Sequence, residues 1–251
     1  MKPLSWYTEL AEARKRREYG FFLMEGKRAV EQIKTAAPGG IDEILVTEQL
    51  LSECKGFACP VRVVTDRQFK TISTSKTPQG IAAVVRIPEG SYEDGLPKQT
   101  GDRLLLLEGV QDPGNVGTLI RTAAAFDYSG VVLSGECADP FSPKAVQASA
   151  GSIMSVWIRR TGQYLGLTGE LKNKGYSLIA ADIKGEPLAP DLILQRHVIL
   201  LGSEGSGLSD KLLALADKKI RIPMNDSKAE SLNVAVSGAI VMFIGSQNRS
   251  K

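Results

Sequence analysis

The chain has 251 residues, a formal net charge of +3, and 43% hydrophobic and 24% charged residues. These values are ordinary for a soluble globular protein with one large domain or two small ones, and its longest apolar stretch, Leu232–Ile244, falls short of the roughly 20 residues that span a membrane. The small positive charge permits a nucleic-acid partner without indicating one, because affinity for phosphates depends on local patches.

Residues 1–90 alternate between helix and strand patterns, which predicts a small α/β domain. Ser5–Glu18 is typical of one polar helix and carries the basic cluster Arg14–Arg17. The other predicted elements are the strands Phe21–Met24, Ile41–Val46, Val61–Thr65 and Gly80–Ile87 and the helix Lys27–Thr35. Polar segments that could be helical follow the second and third strands, and no constellation typical of catalysis occurs here.

A polar stretch rich in proline and glycine, residues 88–102, follows, and we assign 91–102 to a linker. The predicted strands beyond it are Arg103–Leu107, Gly130–Leu133, Val156–Ile158, Ser177–Ala181, Val198–Leu201 and Lys219–Ile222. The predicted helices are Val116–Phe126, Ser142–Ala150, Tyr164–Lys174, Asp210–Ala216 and Leu232–Gln247. This alternation makes residues 103–251 an α/β domain whose mostly parallel sheet has helices on both faces.

A polar turn joins the first of these strands to its helix and carries Asn115 six residues before Arg121. Asn115 is a good helix cap, and the helix N-terminus suits an anion. Arg121 lies roughly 9 Å further along the axis, and its side chain leans back toward the same point. The alternative is that Asn115 is only a cap and that Arg121 pairs with a surface carboxylate.

Two further polar turns follow predicted strands. Gly202–Ser209 contains Glu204 and three glycines, which let the backbone approach a ligand closely, although a plain turn would look the same. Ser231 is a natural cap for the apolar helix, and Asn233 is out of place in that helix unless it contacts something. Because all three turns follow strands of one parallel sheet, we expect them to form one ligand site.

Histidine and cysteine limit the chemistry available. The single histidine, His197, precedes a strand and is interpreted as structural, so that neither a Ser-His-Asp triad nor a His-rich metal site is expected. Cys54, Cys59 and Cys137 have no metal-ligand spacing, and an odd, sparse set favours a reducing compartment. We therefore expect a cytoplasmic protein that binds neither a metal nor a membrane.

The motif residues together resemble a known family. Asp112-Pro-Gly-Asn115-Val-Gly-Thr with Arg121-Thr-Ala-Ala-Ala-Phe126, Gly202-Ser-Glu204-Gly-Ser-Gly-Leu208, and Ile222-Pro-Met224 with Ser231-Leu-Asn233 are similar to the ordered three-motif signature of the SpoU (TrmH) branch of the SPOUT RNA methyltransferases. One departure is Asp127, which stands where the family usually has glycine. Gly20–Gly26 and Lys76–Gly80 resemble the substrate-binding domain that precedes the catalytic domain in many members.

The resemblance implies a trefoil knot near the C-terminus, a homodimer, and S-adenosylmethionine as methyl donor to a ribose 2′-hydroxyl of RNA. Matched position by position, the active-site residues are Asn115, Arg121, Glu204, Ser231 and Asn233. The cofactor-binding residues are Gly202, Ile222 and Leu232. The extra N-terminal domain favours ribosomal RNA over transfer RNA. The alternatives are transfer-RNA 2′-O-methylation, methylation of a base nitrogen, and a non-catalytic RNA-binding or assembly protein with the same fold.

Physical chemistry constrains the roles of these residues. The pKa of arginine above about 12 makes a neutral guanidine scarce, so we expect Arg121 to clamp a phosphate and stabilise the developing alkoxide rather than act as a base. Asn115 and Asn233 would orient the ribose or Arg121, and Glu204 would hold donors in the site. Candidate contacts to the RNA backbone in the first domain are Arg14, Arg16, Arg17, Lys27 and Arg28, with a solvated helix face as the alternative.

Overall fold

The computed structural model describes residues 2–225, 227–228 and 230–247, and it contains one β-sheet in each half of the chain. The first half consists of α1 (Leu4–Glu9), α2 (Ala13–Tyr19), β1 (Phe21–Glu25), α3 (Lys27–Ala36), β2 (Ile41–Thr47), β3 (Val61–Val64), α4 (Asp66–Ile72) and β4 (Ile81–Arg86). Of the two polar segments after strands, the first, Glu48–Cys54, is a 3-10 helix and the second is α4.

The N-terminal sheet has the strand order β1-β4-β2-β3, with β4 antiparallel to both neighbours and β3 parallel to β2. Leu45 of β2 packs with Tyr7 of α1, with Leu10, which follows α1, and with Ile72 of α4. The residues on either side of Leu45 face the opposite way, toward α3, because side chains alternate along a strand.

The prediction of a single helix over Ser5–Glu18 is wrong, because the helix is interrupted between α1 and α2. The guanidinium of Arg16 folds back and donates to the carbonyl oxygens of Leu10 at 2.9 Å and Ala11 at 2.7 Å. The carbonyls at the end of a helix have no partners within it, so Arg16 satisfies groups that a continuous helix would have used.

The second half consists of β5 (Arg103–Leu107), α5 (Pro113–Ala125), β6 (Gly130–Ser134), α6 (Pro143–Ser149), β7 (Trp157–Thr161), α7 (Tyr164–Asn173), β8 (Ser177–Pro187), β9 (His197–Leu201), α8 (Asp210–Leu215), β10 (Lys218–Arg221) and α9 (Val234–Gln247). Its sheet has the order β10-β8-β9-β5-β6-β7, and every pair is parallel. The predicted α/β fold with a parallel sheet is confirmed.

Helices cover both faces of this sheet. Leu104 and Leu106 of β5 belong to the core that includes α7 and α8, whereas Leu105 and Leu107 belong to the core that includes α5 and α9. All four side chains are fully buried, which explains why the strand reads as a continuous apolar run.

Strand β8 extends six residues beyond its predicted end at Ala181. The polar extension pairs with β10 after a register shift between Lys219 and Ile220. A Cβ at Gly185 would lie 2.5 Å from the backbone nitrogen of Ile220, so only glycine fits where the two strands approach.

The two halves share one hydrophobic core. Phe22 of β1 lies 5.2 Å from Phe141, measured between ring centroids. Arg16 pairs with Asp139 at 2.5 Å, and Tyr92 donates to the other oxygen of that carboxylate at 2.9 Å. Arg16 is 2% exposed, so this ion pair is buried where the halves meet.

The predicted linker, residues 91–102, lies along β7. The carbonyl of Ser91 accepts the backbone N–H of Arg160 at 2.8 Å, and Arg159 Nε donates to the carbonyl of Gly95 at 2.7 Å. The indole of Trp157 donates to the carbonyl of Thr100 at 3.0 Å. The connection is therefore fixed along its length by backbone and side-chain hydrogen bonds.

Asp127, the departure from the family pattern, has a φ of 58°. It follows the end of α5 in the left-handed conformation that glycine adopts most readily, and aspartate is among the residues that tolerate it. Within the ranges described, no helix is long and apolar enough to cross a membrane.

Candidate active site

Helix α5 begins at Pro113 because Asp112 caps it. Asp112 Oδ1 accepts the backbone N–H of Asn115 at 3.0 Å, and proline suits the first helical position because it lacks an N–H. The expectation that Asn115 is the cap is therefore wrong. Asn115 sits inside the first turn, and its side chain is left to make other contacts.

The side chains of Asn115, Glu204 and Asn233 form one hydrogen-bonded chain. Nδ2 of Asn233 donates to Oδ1 of Asn115 at 3.1 Å, and Nδ2 of Asn115 donates to Oε1 of Glu204. One residue from each of the three motifs thus meets the others at the carboxyl edge of the sheet. The sequence predicted that Asn233 contacts another group, and its hydrogen bond to Asn115 is such a contact.

Asn233 is also the cap of α9. Its Oδ1 accepts the backbone N–H groups of Ala235 at 2.9 Å and Val236 at 3.3 Å. The cap expected at Ser231 is wrong, because the helix begins three residues later, at Val234. Ser231 is exposed and makes no hydrogen bond to another residue in the described ranges.

The loop after β9 folds tightly on itself. The N–H of Gly207 donates to the carbonyl of Ser203 at 3.0 Å, and a Cβ at Gly202 would lie 2.1 Å from the carbonyl carbon of Gly207. Gly202 is thus required by the loop's own packing. This loop places the exposed side chain of Glu204 within reach of Asn115.

The two apolar cofactor candidates lie beside the third motif. Ile222 follows β10 and Leu232 precedes α9, and both are half-buried. Ile222 packs against the core that the two halves share. Both residues therefore present some apolar surface within the third motif, and Leu232 lies next to Asn233 in the sequence.

Arg121 lies two turns along α5 and is exposed. It makes no hydrogen bond or ion pair with any residue in the part of the chain that the structure describes. The structure does not bring Arg121 into the chain of amides, and it does not support the alternative of a carboxylate partner among those residues.

Two residues that the sequence did not single out flank the first turn of α5. Lys144 donates to Asp112 Oδ2 at 2.6 Å. This hydrogen bond, and then the one from the Asn115 N–H, hold the pKa of Asp112 below its usual range. The sequence did offer a reason to choose Asp112 as the cap, because an aspartate directly before Pro-Gly is a good candidate. An isolated lysine such as Lys144 offers no comparable indication.

A third missed residue is Glu108, which follows β5 and is 8% exposed. Its Oε2 accepts the N–H of Ser209 at 2.7 Å, while its Oε1 accepts the hydroxyl of Ser209 at 2.7 Å and that of Tyr164 at 2.6 Å. Burial and then this hydrogen bond raise the pKa of Tyr164 to about 12. Ser209 caps α8, so Glu108 fixes the far end of the loop that carries Glu204.

His197 lies at the opposite end of β9 from Gly202 and is fully buried. Its Nδ1–H donates to the carbonyl of Leu194 at 2.6 Å, so its Nε2 accepts the hydroxyl of Tyr128 at 2.7 Å. Burial lowers the pKa of His197 to about 4, which agrees with a structural histidine. No group of three His, Cys, Asp or Glu side chains in the described ranges could hold a metal.

The candidate RNA contacts separate into exposed and buried residues. Arg14, Arg17, Lys27 and Arg28 are exposed, with Lys27 paired to Glu53 at 2.8 Å. The expectation for Arg16 is wrong, because its guanidinium is buried against Asp139 and two backbone carbonyls and cannot reach a phosphate.

These features define an α/β protein with a polar site at the carboxyl ends of parallel strands. The model of the SpoU rRNA methylase family matches residues 102–243, and a model of an MRM3-like substrate-binding domain matches residues 6–83. The chain belongs to the SpoU rRNA methylase family.

Named relatives cover nearly the whole chain. It is 32% identical to the 23S rRNA (guanosine(2553)-2′-O)-methyltransferase RlmP of Bacillus subtilis, over 94% of this chain and 93% of that protein. It is 28% identical to the 23S rRNA (uridine(2479)-2′-O)-methyltransferase of Streptomyces viridochromogenes, over 95% and 86%. The crystal structure of AdoMet-bound rRNA methyltransferase from Sinorhizobium meliloti has a TM-score of 0.81 and 27% identity, over 99% and 95%.

Proposed function

We propose that this protein transfers a methyl group from S-adenosylmethionine to the 2′-hydroxyl of a ribose in ribosomal RNA. The observation that carries the proposal is the hydrogen-bonded chain of Asn233, Asn115 and Glu204, which joins the three motifs of a SpoU family member. Relatives that match nearly the full chain are named as 23S rRNA 2′-O-methyltransferases.

The residues at the carboxyl edge fit S-adenosylmethionine. Ile222 and Leu232 offer half-buried apolar surface for an adenine ring, and the loop from Gly202 offers backbone groups for its polar edge. Bound S-adenosylmethionine supplies an electrophilic methyl group on a sulfonium. The protein's task is to hold the ribose hydroxyl in line with that methyl group, and positioning of this kind contributes about 7–11 kcal/mol at best.

Asn115 and Asn233 orient the ribose. A side-chain amide carries two N–H donors, and each of these amides spends one of them within the chain. The remaining N–H of each can donate to a ribose oxygen. Glu204 accepts from Asn115 and so fixes the direction in which its free donor points. Ser231, exposed beside Asn233, is assigned to substrate contact as well.

Arg121 clamps a phosphate of the substrate and stabilises the alkoxide that develops on the ribose oxygen. Its exposure and its lack of partners among the described residues leave the guanidinium free to bind an anion. Guanidinium groups in proteins stay protonated at neutral pH and are therefore poor bases.

We further propose that the protein is a knotted homodimer that works in the cytoplasm. Val236 and Phe243 of α9 are 49% and 48% exposed, and their spacing of seven residues places them on one face of the helix. A second copy would cover this face, which begins one turn from Asn233. Light scattering should give twice the chain mass for the native protein and the chain mass for Phe243→Asp.

The first domain holds the RNA. Arg14, Arg17, Lys27 and Arg28 present charge to solvent there, and removing a phosphate contact weakens binding and flattens its dependence on salt. The domain limits 1–90 and 103–251 and the linker 91–102 remain predictions, and Met1 and residues 248–251 lie outside the described residues.

Incubation with tritiated S-adenosylmethionine and unmodified 23S rRNA transcript tests the function. Methylation should protect one ribose linkage from alkaline cleavage, because the 2′-hydroxyl is the nucleophile in that cleavage. Methyl groups found only on bases would contradict the proposal. Absence of transfer to any RNA by a protein that binds S-adenosylmethionine would favour a non-catalytic assembly role, and transfer to tRNA alone would favour the tRNA alternative.

A further inference from the structure

Lys144 stands next to the proposed catalytic residues without a role in the reaction derived above. A Cβ placed on Gly114 would lie 3.2 Å from Lys144 Cε, so the lysine side chain crosses the first turn of α5 at the residue before Asn115. Its ammonium pairs with Asp112 at 2.6 Å and is 62% exposed. The cation is thus held at the capped end of α5, the helix that carries Asn115, and its side chain faces solvent.

Lys144, a residue of α6, contacts α5 at Gly114, on the face of α5 that also carries Arg121. Arg121 follows Gly114 by seven residues, a spacing that returns to the same face of a helix two turns on, about 10 Å along the axis. The residue between them on this face, Gly117, packs directly against the backbone of α6 at Ala145. The contact with α6 therefore buries the stretch between the two cations, which lie about one turn of α5 before and one turn after Gly117.

The ion pair with Asp112 is easily exchanged. Exposed ion pairs contribute little to stability, and a phosphate competes well for an ammonium group. Asp112 uses Oδ1 to cap α5 and Oδ2 to accept from Lys144. Release of Lys144 would therefore leave the cap of the catalytic helix in place.

A groove between the two halves of the protein is lined by residues of α6, the helix that carries Lys144, although Lys144 itself does not line it. Pro143 and Gln147 line one wall, and Glu25 and Gln79 line the other. Both oxygens of Glu25 are occupied, by the hydroxyl of Ser73 at 2.6 Å and the N–H of Gln79 at 2.9 Å. The walls therefore come from α6, next to Lys144 in sequence, and from the first half of the chain.

We propose that Lys144 is a substrate-binding residue, whose ammonium exchanges Asp112 for a phosphate of the RNA next to the nucleotide that is methylated. The inference rests on the proposed function. Lys144 and Arg121 then hold two phosphates of the bound strand, one at the first turn of α5 and one two turns further along the helix.

Equilibrium binding of 23S rRNA transcript over a range of salt concentrations tests this role. Lys144→Gln should weaken binding about three- to tenfold near 0.1 M salt and reduce the slope of log K against log salt by about 0.7. Asp112→Asn keeps a good cap but frees the lysine, so it should retain or tighten binding. Lys174→Gln removes an exposed lysine paired at 3.5 Å with Glu170 on the opposite face of the sheet and should change nothing.

The different effects expected for Lys144→Gln and Asp112→Asn separate a phosphate contact from a structural tie, because only Lys144→Gln should weaken binding. Equal losses of affinity in both variants, or an unchanged slope in Lys144→Gln, would overturn the inference while wild-type methylation stood. A wild-type protein that neither binds nor methylates the transcript would instead overturn the proposed function. Unchanged affinity for S-adenosylmethionine and an unchanged Tm show that a weakened variant is folded.

Discussion

The side chain of Asn233 donates from Nδ2 to Oδ1 of Asn115 across 3.1 Å and thereby joins the start of α9 to the first turn of α5. The direction of this hydrogen bond is fixed, because Oδ1 of Asn233 is occupied by two backbone N–H groups of its own helix. Its NH2 must therefore point at Asn115, and Asn115 must in turn point its own NH2 at Glu204.

The two tasks of Asn233 can be separated by substitution. Asn233→Asp keeps an oxygen that caps α9 but loses the donor to Asn115, so the free energy of unfolding should stay close to that of the wild type. The single-turnover rate of methyl transfer should fall at least about tenfold, because one lost hydrogen bond to a reacting group is worth this much or more. Asn233→Ala should lose the rate and also about 1 kcal/mol of stability. A normal rate in Asn233→Asp would show that the Asn233 amide does not take part in the reaction.

Arg121 is best tested by comparing alanine with lysine. Arg121→Ala should lower the single-turnover rate about 10²–10³-fold, the usual effect of removing a donor that stabilises a developing oxyanion. Arg121→Lys keeps the charge but loses the planar fork, so it should recover part of the rate with an unchanged pH profile. A profile displaced to lower pH in Arg121→Lys would indicate a base, because the pKa of lysine is lower than that of arginine.

Because Arg16 is buried in an ion pair with Asp139, its substitution should lower the stability of the protein without changing the salt dependence of RNA binding. Arg16→Met leaves a buried carboxylate without its cation, which costs about 3–5 kcal/mol. Denaturant unfolding should show this loss, and the salt slope of RNA binding should match the wild type. Arg14→Met, an exposed neighbour, is the matched control and should show the reverse pattern.

The free energy of unfolding should depend on pH through the single histidine, His197. Burial lowers the pKa of His197 to about 4 in the native protein, against about 6.5 when unfolded. Between these values the unfolded chain binds a proton that the native chain does not, so stability falls as the pH drops from 6.5 to 4, by roughly 3 kcal/mol. Above pH 6.5 this contribution is constant.

Denaturant unfolding at a series of pH values checks this dependence. His197→Asn, which retains an amide able to accept from Tyr128, should flatten the curve in that interval. A wild-type curve that is already flat there would show that His197 is not buried as a neutral group.

The sequence was most informative where one pattern decides the outcome. The apolar run of β5 has the predicted bounds, because a strand buried on both faces admits little else. The cap of α5 was misplaced because Asp112 and Asn115 are both good caps three residues apart, and the geometry of the turn chooses between them. The polar end of β8 was missed because only its pairing with β10 identifies it as a strand.

Tertiary contacts account for the remaining differences. Arg16 and its neighbours form a uniformly basic run, and its burial depends on Asp139, which lies 123 positions away. The chain from Asn233 through Asn115 to Glu204 likewise joins residues separated by 118 and 89 positions. The motifs indicated which residues meet, but the donor and acceptor directions follow only from the backbone groups that each amide has already satisfied.

The shared core has a consequence for how this protein can be divided. Phe22 and Phe141 cover each other from opposite halves, and residues 91–102 are bonded along β7. A truncation that removes the first domain would leave Phe141 and the unpaired carboxylate of Asp139 on a new surface. The first half of the chain is thus not a detachable module, and a change of RNA target would have to arise from surface substitutions made in place rather than from exchange of the domain.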